Sequence, residues 1–549
     1  MEGVAGARGN PLVDRRSVVR KRLAFWFPVL VASRNRQDST IGILPTSQIR
    51  EHSVMDRKVL DLVNIGDAAR LVARSTMDRF PPLISDQCLS GDPALLARFT
   101  ESHWSESTFS ISETLTMPKG RFGTRPIDVV PCSTRSAYHA LAAALKPELP
   151  AETRTTEWQD HRRFGSEYTG GYLIDMDVAS CYEYIDHDVL RGEILLHSCN
   201  ATLSGAIVSL VGSFMPRSRG LPQMLWPSDL LADAYLSVID RYLDRRDIPS
   251  HRYADDIRMV ISDWGMANQI VEDVADQLRT IGLIPSEGKT RILKAENIGE
   301  PESEDQNFLT KNFPSRVSTL RFDSFLTRGP YGSVITSRRE VDTTSESDPR
   351  SDNEVASRII ANDRGLKLDG PMKWLTIQAL ASLRSGAERL SDKSLLDLLH
   401  RDQGMAEHVC QYLIARSKVS SESLENQWKT LHELTNTERQ SPWTKIWIIT
   451  VVQATPVADL LHRSRVIDWL IRQLQDRHET VRAQAAWALA THNALASDVF
   501  ERVYILSSSL TRHGLAAAAS KQGGVNVNIS RAVQNDSPLN KSAWQWAQA

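Results

Sequence analysis

Nowhere in these 549 residues do about 18 apolar residues run together, so no transmembrane helix is expected. Cysteine is sparse, and Cys88, Cys132, Cys181, Cys199 and Cys410 show no paired spacing. That argues against a disulfide framework or a zinc site and suits a reducing cytosol. An excess of charge of either sign is also missing, the formal net charge being -2. Any surface for phosphate must therefore be a local gathering of Lys and Arg. What remains is a globular composition, 41% hydrophobic and 24% charged, long enough for roughly two to four domains.

At the N-terminus, Arg15, Arg16, Arg20, Lys21 and Arg22 precede an apolar run at 23–32, the outline of a secretory signal. Pro28 interrupts that run, and Arg34 and Arg36 stand where a small-residue cleavage site belongs, which argues against export. Met55, opening an amphipathic stretch through Leu60, is an alternative start. Residues 1–54 are read as an N-terminal extension.

Arg252-Tyr253-Ala254-Asp255-Asp256-Ile257 reads as a β-hairpin whose tight turn carries two aspartates. Carboxylates beside a hydrophobic strand are costly without a positive partner. Mg2+, which takes one or two carboxylates plus substrate phosphates, would serve. Taken alone, the pair is an ordinary solvated acidic turn. Upstream, Gly171 to Val178 is a strand with apolar residues for both faces and Asp177 near its end; Asp175 reads as a strand-edge residue. Lys119 to Pro131 alternates apolar and polar residues around glycines, a hairpin. Its Lys119, Arg121 and Arg125 could close over a triphosphate, or could be a solvated basic hairpin. Gly220-Leu221-Pro222-Gln223 is loop chemistry, Ser228 is a candidate N-cap, and Leu231, Ala234, Tyr235 and Val238 form a helical stripe. Val271 to Ile281 predicts a helix ending at Gly282 as its C′ residue, with Lys289 beyond it.

The polar stretch 326–355 reads as a linker. Residues 356–515 carry helical stripes, and the pair Val466-Leu470-Leu474 and Val481-Ala485-Ala488-Leu489 looks like one unit of a HEAT-type solenoid. Residues 516–549, rich in Gly, Asn and Ser, are expected to be a mobile tail, with Trp544 and Trp546 able to dock.

In this order and spacing, Asp177 with Tyr182, Gly220 to Gln223, Tyr253 to Asp256, and Gly282 to Thr290 resemble the palm of a reverse transcriptase, over roughly residues 110–295. The resemblance implies an α+β fold: fingers and an antiparallel palm sheet within 55–325, then an all-α HEAT-like domain. It implies that Asp177 and Asp255 chelate two Mg2+ ions, or Mn2+ in their place, with Asp256 supporting the second position. Arg125 and Lys119 would hold the triphosphate, and Lys289 would protonate pyrophosphate. Tyr182 would sit against the sugar C2′ and select deoxynucleotides, and Gln223 would line the nucleotide and template pocket.

Where many members of the family have Gly after Gly-Leu-Pro-Gln, this chain has Met224, then Leu225 and Trp226, which put bulk near the template path. No endonuclease motif occurs, and Leu320 to Asp323 is only a weak thumb candidate. The combination looks like the bacterial abortive-infection and defence-associated reverse transcriptases. That implies anti-phage defence in the bacterial cytoplasm and dNTPs joined without a template. It further implies a DNA product attached to protein, and a homo-oligomer. Tyr331, Tyr412 and Tyr504 are candidate acceptors. Two other readings stay open: an RNA-templated enzyme of retron or intron type using a partner RNA, and an idle palm scaffold with a partner-binding helical domain. The intact acidic set weighs against the scaffold.

Overall fold

The computed structural model describes residues 57–297 except 76, 107, 108, 121, 122, 156 and 157; the strands 324–328 and 334–338; and 356–549 except 362–364, 366, 369, 385–388 and 419–422. The extension at 1–54 with its two candidate starts, Arg121, Tyr331, the 320–323 stretch and most of the linker lie outside them.

The fingers begin with α1 (Ile65–Arg74), whose Asn64 cap accepts from the Asp67 amide, and α2 (Pro93–Glu106). A hairpin follows, β1 (Glu113–Lys119) against β2 (Gly123–Val129), with Lys119 opposite Gly123 and Met117 opposite Arg125. The alanine-rich α3 (Cys132–Leu145) is buried almost throughout. The palm is a four-stranded antiparallel sheet of order β4-β5-β3-β6. Its strands are β3 (Tyr172–Asp177), β4 (Ser250–Tyr253), β5 (Asp256–Ile261) and β6 (Arg291–Lys294). Strand alternation sorts the faces. Ile174 pairs with Met259 and Met176 with Ile257, all four fully buried. Each such side chain contributes about 1.5–3 kcal/mol by leaving water. The opposite face presents Asp175, Asp177, Asp256 and Arg258. Gly171, at φ +89°, opens β3; a Cβ there would lie 2.5 Å from the Ile261 carbonyl oxygen, so the strand pairing requires glycine.

Between the strands run α4 (Cys181–Tyr184), α5 (Trp226–Asp244) and α6 (Trp264–Thr280). Helix α5 starts before Ser228, with Pro227 in its first turn. Ser228 is therefore not the N-cap: it is buried, and its hydroxyl meets that of Tyr138 at 3.0 Å. Gly282, at φ +76°, ends α6 as expected. The stretch read as linker opens with another hairpin, β7 (Ser324–Arg328) and β8 (Val334–Arg338).

The C-terminal region is helical. It contains α7 (Gly370–Ser382), α8 (Ala406–Arg416), α9 (Pro442–Ala454), α10 (Leu461–Gln473) and α11 (Glu479–Thr491), then α12 (Arg512–Gln522), α13 (Val527–Asp536) and α14 (Pro538–Trp546). The expectation of a mobile tail is thus corrected. Asn526 caps α13, Ser537 caps α14, and Trp544 is buried, so local capping and aromatic burial outweigh the polar composition.

These helices dock on the fingers. The Trp443 and Trp447 indole N–H groups donate to the Arg79 carbonyl at 2.8 and 3.2 Å, and the Arg79 guanidinium pairs with Glu407 at 2.5 Å. The Glu113 carboxylate accepts from the amides of Glu479 and Thr480 and from the Thr480 hydroxyl at 2.6–2.9 Å, filling the N-terminus of α11. His52–Ala549 is one compact unit.

Candidate active site

The β4–β5 turn contains only Ala254 and Asp255, since Tyr253 pairs with Asp256. Ala254 has φ +55°, a left-handed conformation that favours glycine. Arg252 holds it there: its guanidinium donates to the Ala254 carbonyl at 3.1 Å, while salt bridges of 2.6 Å tie it to Asp233 and Asp240. Asp233 also accepts from the Thr153 hydroxyl at 2.9 Å, and that hydroxyl accepts the Ala254 amide at 2.9 Å. The turn is clamped from both ends.

Three carboxylates meet at this end of the sheet. Asp177 stands opposite Asp256 in the β3–β5 register, and the Val178 amide donates to the Asp255 carbonyl at 3.1 Å. The loop after Gly282 then joins the sheet. The Ala179 amide donates to the Ile284 carbonyl at 2.9 Å and the Ser286 amide to the Asp177 carbonyl at 2.7 Å. This brings the Lys289 ammonium onto the Asp177 carboxylate. Burial, then the charges of Asp255 and Asp177, push the Asp256 carboxyl up to about 7. Partial desolvation acts to lower Lys289, but the hydrogen bond and charge of Asp177 outweigh it and hold the ammonium above its ordinary value. Lys119 is lowered by desolvation and by Arg125 and Lys289, against the pull of Asp255 and Asp177. Asp175, two positions before Asp177 on the central strand, is ion-paired to Arg258 at 3.4 Å and Arg291 at 3.1 Å. It is committed to those arginines rather than to the strand edge.

Lys119, Arg125, Asp255 and Asp256 line one cleft of about 360 Å3. Tyr182 and Gln223 do not line it, contrary to expectation. Both are buried, and the Tyr182 hydroxyl donates to Asp229 at 2.7 Å and accepts from Arg154, a cleft residue, at 3.3 Å. Gln223 lies in a loop held to α4 by the Leu221 amide on the Tyr182 carbonyl. Thr153, Arg154, Asp229, Asp233 and Arg252 were missed from sequence. Their signal is an arginine within a short strand and two aspartates four apart on the buried side of α5.

Among the described residues no three His, Cys, Asp or Glu side chains cage a metal ion by themselves. The Lys289 ammonium engages Asp177 in the same place. A set of crowded carboxylates, one of them driven towards the neutral form, still fits a hard divalent cation that keeps waters and takes phosphate oxygens as its remaining ligands.

Residues 117–312 match the family "reverse transcriptase (RNA-dependent DNA polymerase)". Among solved structures the chain is similar to telomerase from Candida albicans in complex with a fragment of telomeric RNA. That match has 13% identity, covers 69% of this chain and 66% of that one, and has a TM-score of 0.28. The corresponding Candida tropicalis complex gives 12%, 66%, 64% and 0.28, and apo telomerase from Candida tropicalis gives 12%, 77%, 68% and 0.29. The chain thus spans just under two thirds of the first two telomerase chains, and superpositions this loose do not establish a shared activity. No curated protein matches. Residues 117–312 are a reverse transcriptase domain, and the sheet that gathers the three aspartates is its palm.

Proposed function

We propose that this protein is a defence polymerase of the bacterial cytoplasm that joins dNTPs without a template and attaches the DNA to protein. The observation that carries the polymerase reading is the meeting of Asp177, Asp255 and Asp256 at one end of the palm sheet, with Lys289 bound to the first and Lys119 and Arg125 on the cleft wall. Asp177 and Asp255, supported by Asp256, would hold Mg2+, with Mn2+ as an alternative. When bound, the two ions supply an acidified attacking hydroxyl and charge neutralisation on the leaving pyrophosphate. Lys119 and Arg125 bind and orient the triphosphate. Lys289 holds a proton beside the leaving group, kept there by Asp177.

Two features support synthesis without a template. The cleft is of small-molecule size and has side chains of the helical region on one wall. Beside it, Met224, Leu225 and Trp226 line a cavity of about 840 Å3 whose walls also carry Asp67, Asp78, Glu152, Asp229 and Asp233. The arginines of that lining, Arg135 and Arg154, are ion-paired to Asp86 and Asp229, which leaves neither to grip a phosphate backbone. Of the candidate acceptors, Tyr412 is fully buried with its hydroxyl on the Leu390 amide and is withdrawn. The Tyr504 hydroxyl donates to Asp536 at 2.7 Å and would have to leave it. The HEAT-type reading rests on the helix-pair pattern at 466–489, and homo-oligomerisation and the anti-phage role rest on the resemblance to defence-associated enzymes. Among the described residues no helix is long and apolar enough to cross a membrane.

The test uses protein stripped of nucleic acid, Mg2+ and each dNTP, with and without added RNA. DNA that comigrates with denatured protein in the absence of RNA is the expected result. Product only with RNA would establish the templated reading. No product, together with phage protection that survives Asp255→Ala, would establish the scaffold.

A further inference from the structure

The polymerase cleft has a second wall that the palm does not supply. Lys373, Trp374, Ile377 and Gly404 of the helical region line it together with His408, facing Asp255, Asp256, Lys119 and Arg125. This wall is held firmly. Lys373 is salt-bridged at 2.5 Å to the buried Asp402, which also accepts the Gly404 amide at 2.8 Å. A Cβ on Gly404 would come 3.4 Å from the Pro118 carbonyl oxygen, so the wall abuts the fingers hairpin. Leu375 and Leu380 bury the inner side of α7.

The charges of the two walls differ in kind. Lys119 and Arg125 belong to the fingers and share the cleft with Asp255 and Asp256, the place for phosphate. On the helical side, Lys373 is matched by Asp402 and Arg79 by Glu407, leaving little net charge. Such a wall suits an uncharged heterocycle, for which an indole is a good stacking surface. His408 adds a directional group: it is 1% exposed, lines the cleft, and its Nδ1 has no hydrogen-bond partner. A buried polar atom left without a partner is unfavourable, and a bound ligand would satisfy it.

We propose that the helical region completes the nucleotide site, Trp374 lying against the face of the incoming base and His408 Nδ1 hydrogen-bonding its edge. Base choice is then made by protein rather than by a template strand. This rests on the polymerase reading above.

The experiment has two arms on full-length protein. In the first, binding of each of four non-hydrolysable dNTP analogues is measured by calorimetry with Mg2+. In the second, untemplated incorporation of each dNTP is followed. Trp374→Ala should weaken binding of all four analogues about tenfold, with Trp374→Phe restoring most of it. His408→Asn should flatten the ratio of kcat/KM among the four bases. Circular dichroism and melting of each variant separate misfolding from lost contact, and Trp374→Phe carries the test if His408→Asn does not fold. Wild-type incorporation with unchanged binding in Trp374→Ala overturns this inference and leaves the polymerase reading standing. Trp374-dependent binding without untemplated incorporation by the wild type overturns the template-independent reading and leaves the site standing. Absence of both overturns both.

Discussion

Asp177 and Asp256 stand directly opposite one another across the β3–β5 ladder, two like charges on one face of a sheet. Like charges placed so are destabilising. The fold tolerates them by setting Lys289 on Asp177 and by driving Asp256 towards its neutral form.

That arrangement sets a pH dependence in metal-free protein. The folded Asp256 carboxyl is raised from 3.8 to about 7, so between those values the folded chain binds the extra proton. Stability from this group is complete below about pH 4 and is lost as pH rises through 7. In EDTA, Asp256→Asn should therefore raise the melting temperature at pH 8, by the equivalent of roughly 2 kcal/mol or more, and leave it unchanged at pH 4. Mg2+ should recover the same stability in the wild type at pH 8. A variant less stable than the wild type at pH 8 would contradict this.

Removing Lys289 should act on the leaving group. We expect Lys289→Ala to lower kcat about a hundredfold with little change in KM, the usual scale for general-acid catalysis. The deficit should shrink with β,γ-difluoromethylene dNTPs, whose bisphosphonate leaving group is more acidic. An equal deficit with both substrates would mean that Lys289 only screens Asp177.

Arg252 is the structural counterpart. It is buried among Asp233, Asp240 and the Ala254 carbonyl, so Arg252→Leu strands a buried carboxylate. The expected cost is roughly 3–5 kcal/mol by urea denaturation. Arg252→Leu combined with Asp233→Leu should recover part of that stability but not the activity, because the turn at Ala254 loses its clamp.

Tyr182 separates two roles. If its ring screens the sugar, Tyr182→Ala should reduce preference for dNTP over rNTP by roughly a hundredfold, and Tyr182→Phe should retain the preference. Unchanged preference with a raised KM in both variants would mean that the hydroxyl serves to hold Arg154 at the cleft.

The palm was legible in the chain because its determinants are local. Apolar residues for both faces mark β3, apolar residues following the aspartates mark β5, a short turn between apolar runs marks the hairpin, and glycine at 282 marks a helix end. Each is a backbone preference that neighbouring residues express without help. The aspartates were named through the resemblance to a reverse transcriptase palm, because alone the pair reads as a solvated turn.

What the chain alone left undecided depends on partners far apart in sequence. The tail at 516–549 reads as polar loop until Trp544 finds a place to bury. Lys289 is a loop lysine until two backbone hydrogen bonds bring its segment to the end of β3. Tyr182 and Gln223 were expected in the cleft, but Asp229, a helical residue 47 positions from Tyr182, draws that hydroxyl away. The second wall of the cleft is built from residues beyond 370, and nothing in their local pattern distinguishes Trp374 from any other helical aromatic. Local sequence decides which strands and turns form. Long-range burial and charge pairing, which have no period along the chain, decide what stands opposite the aspartates.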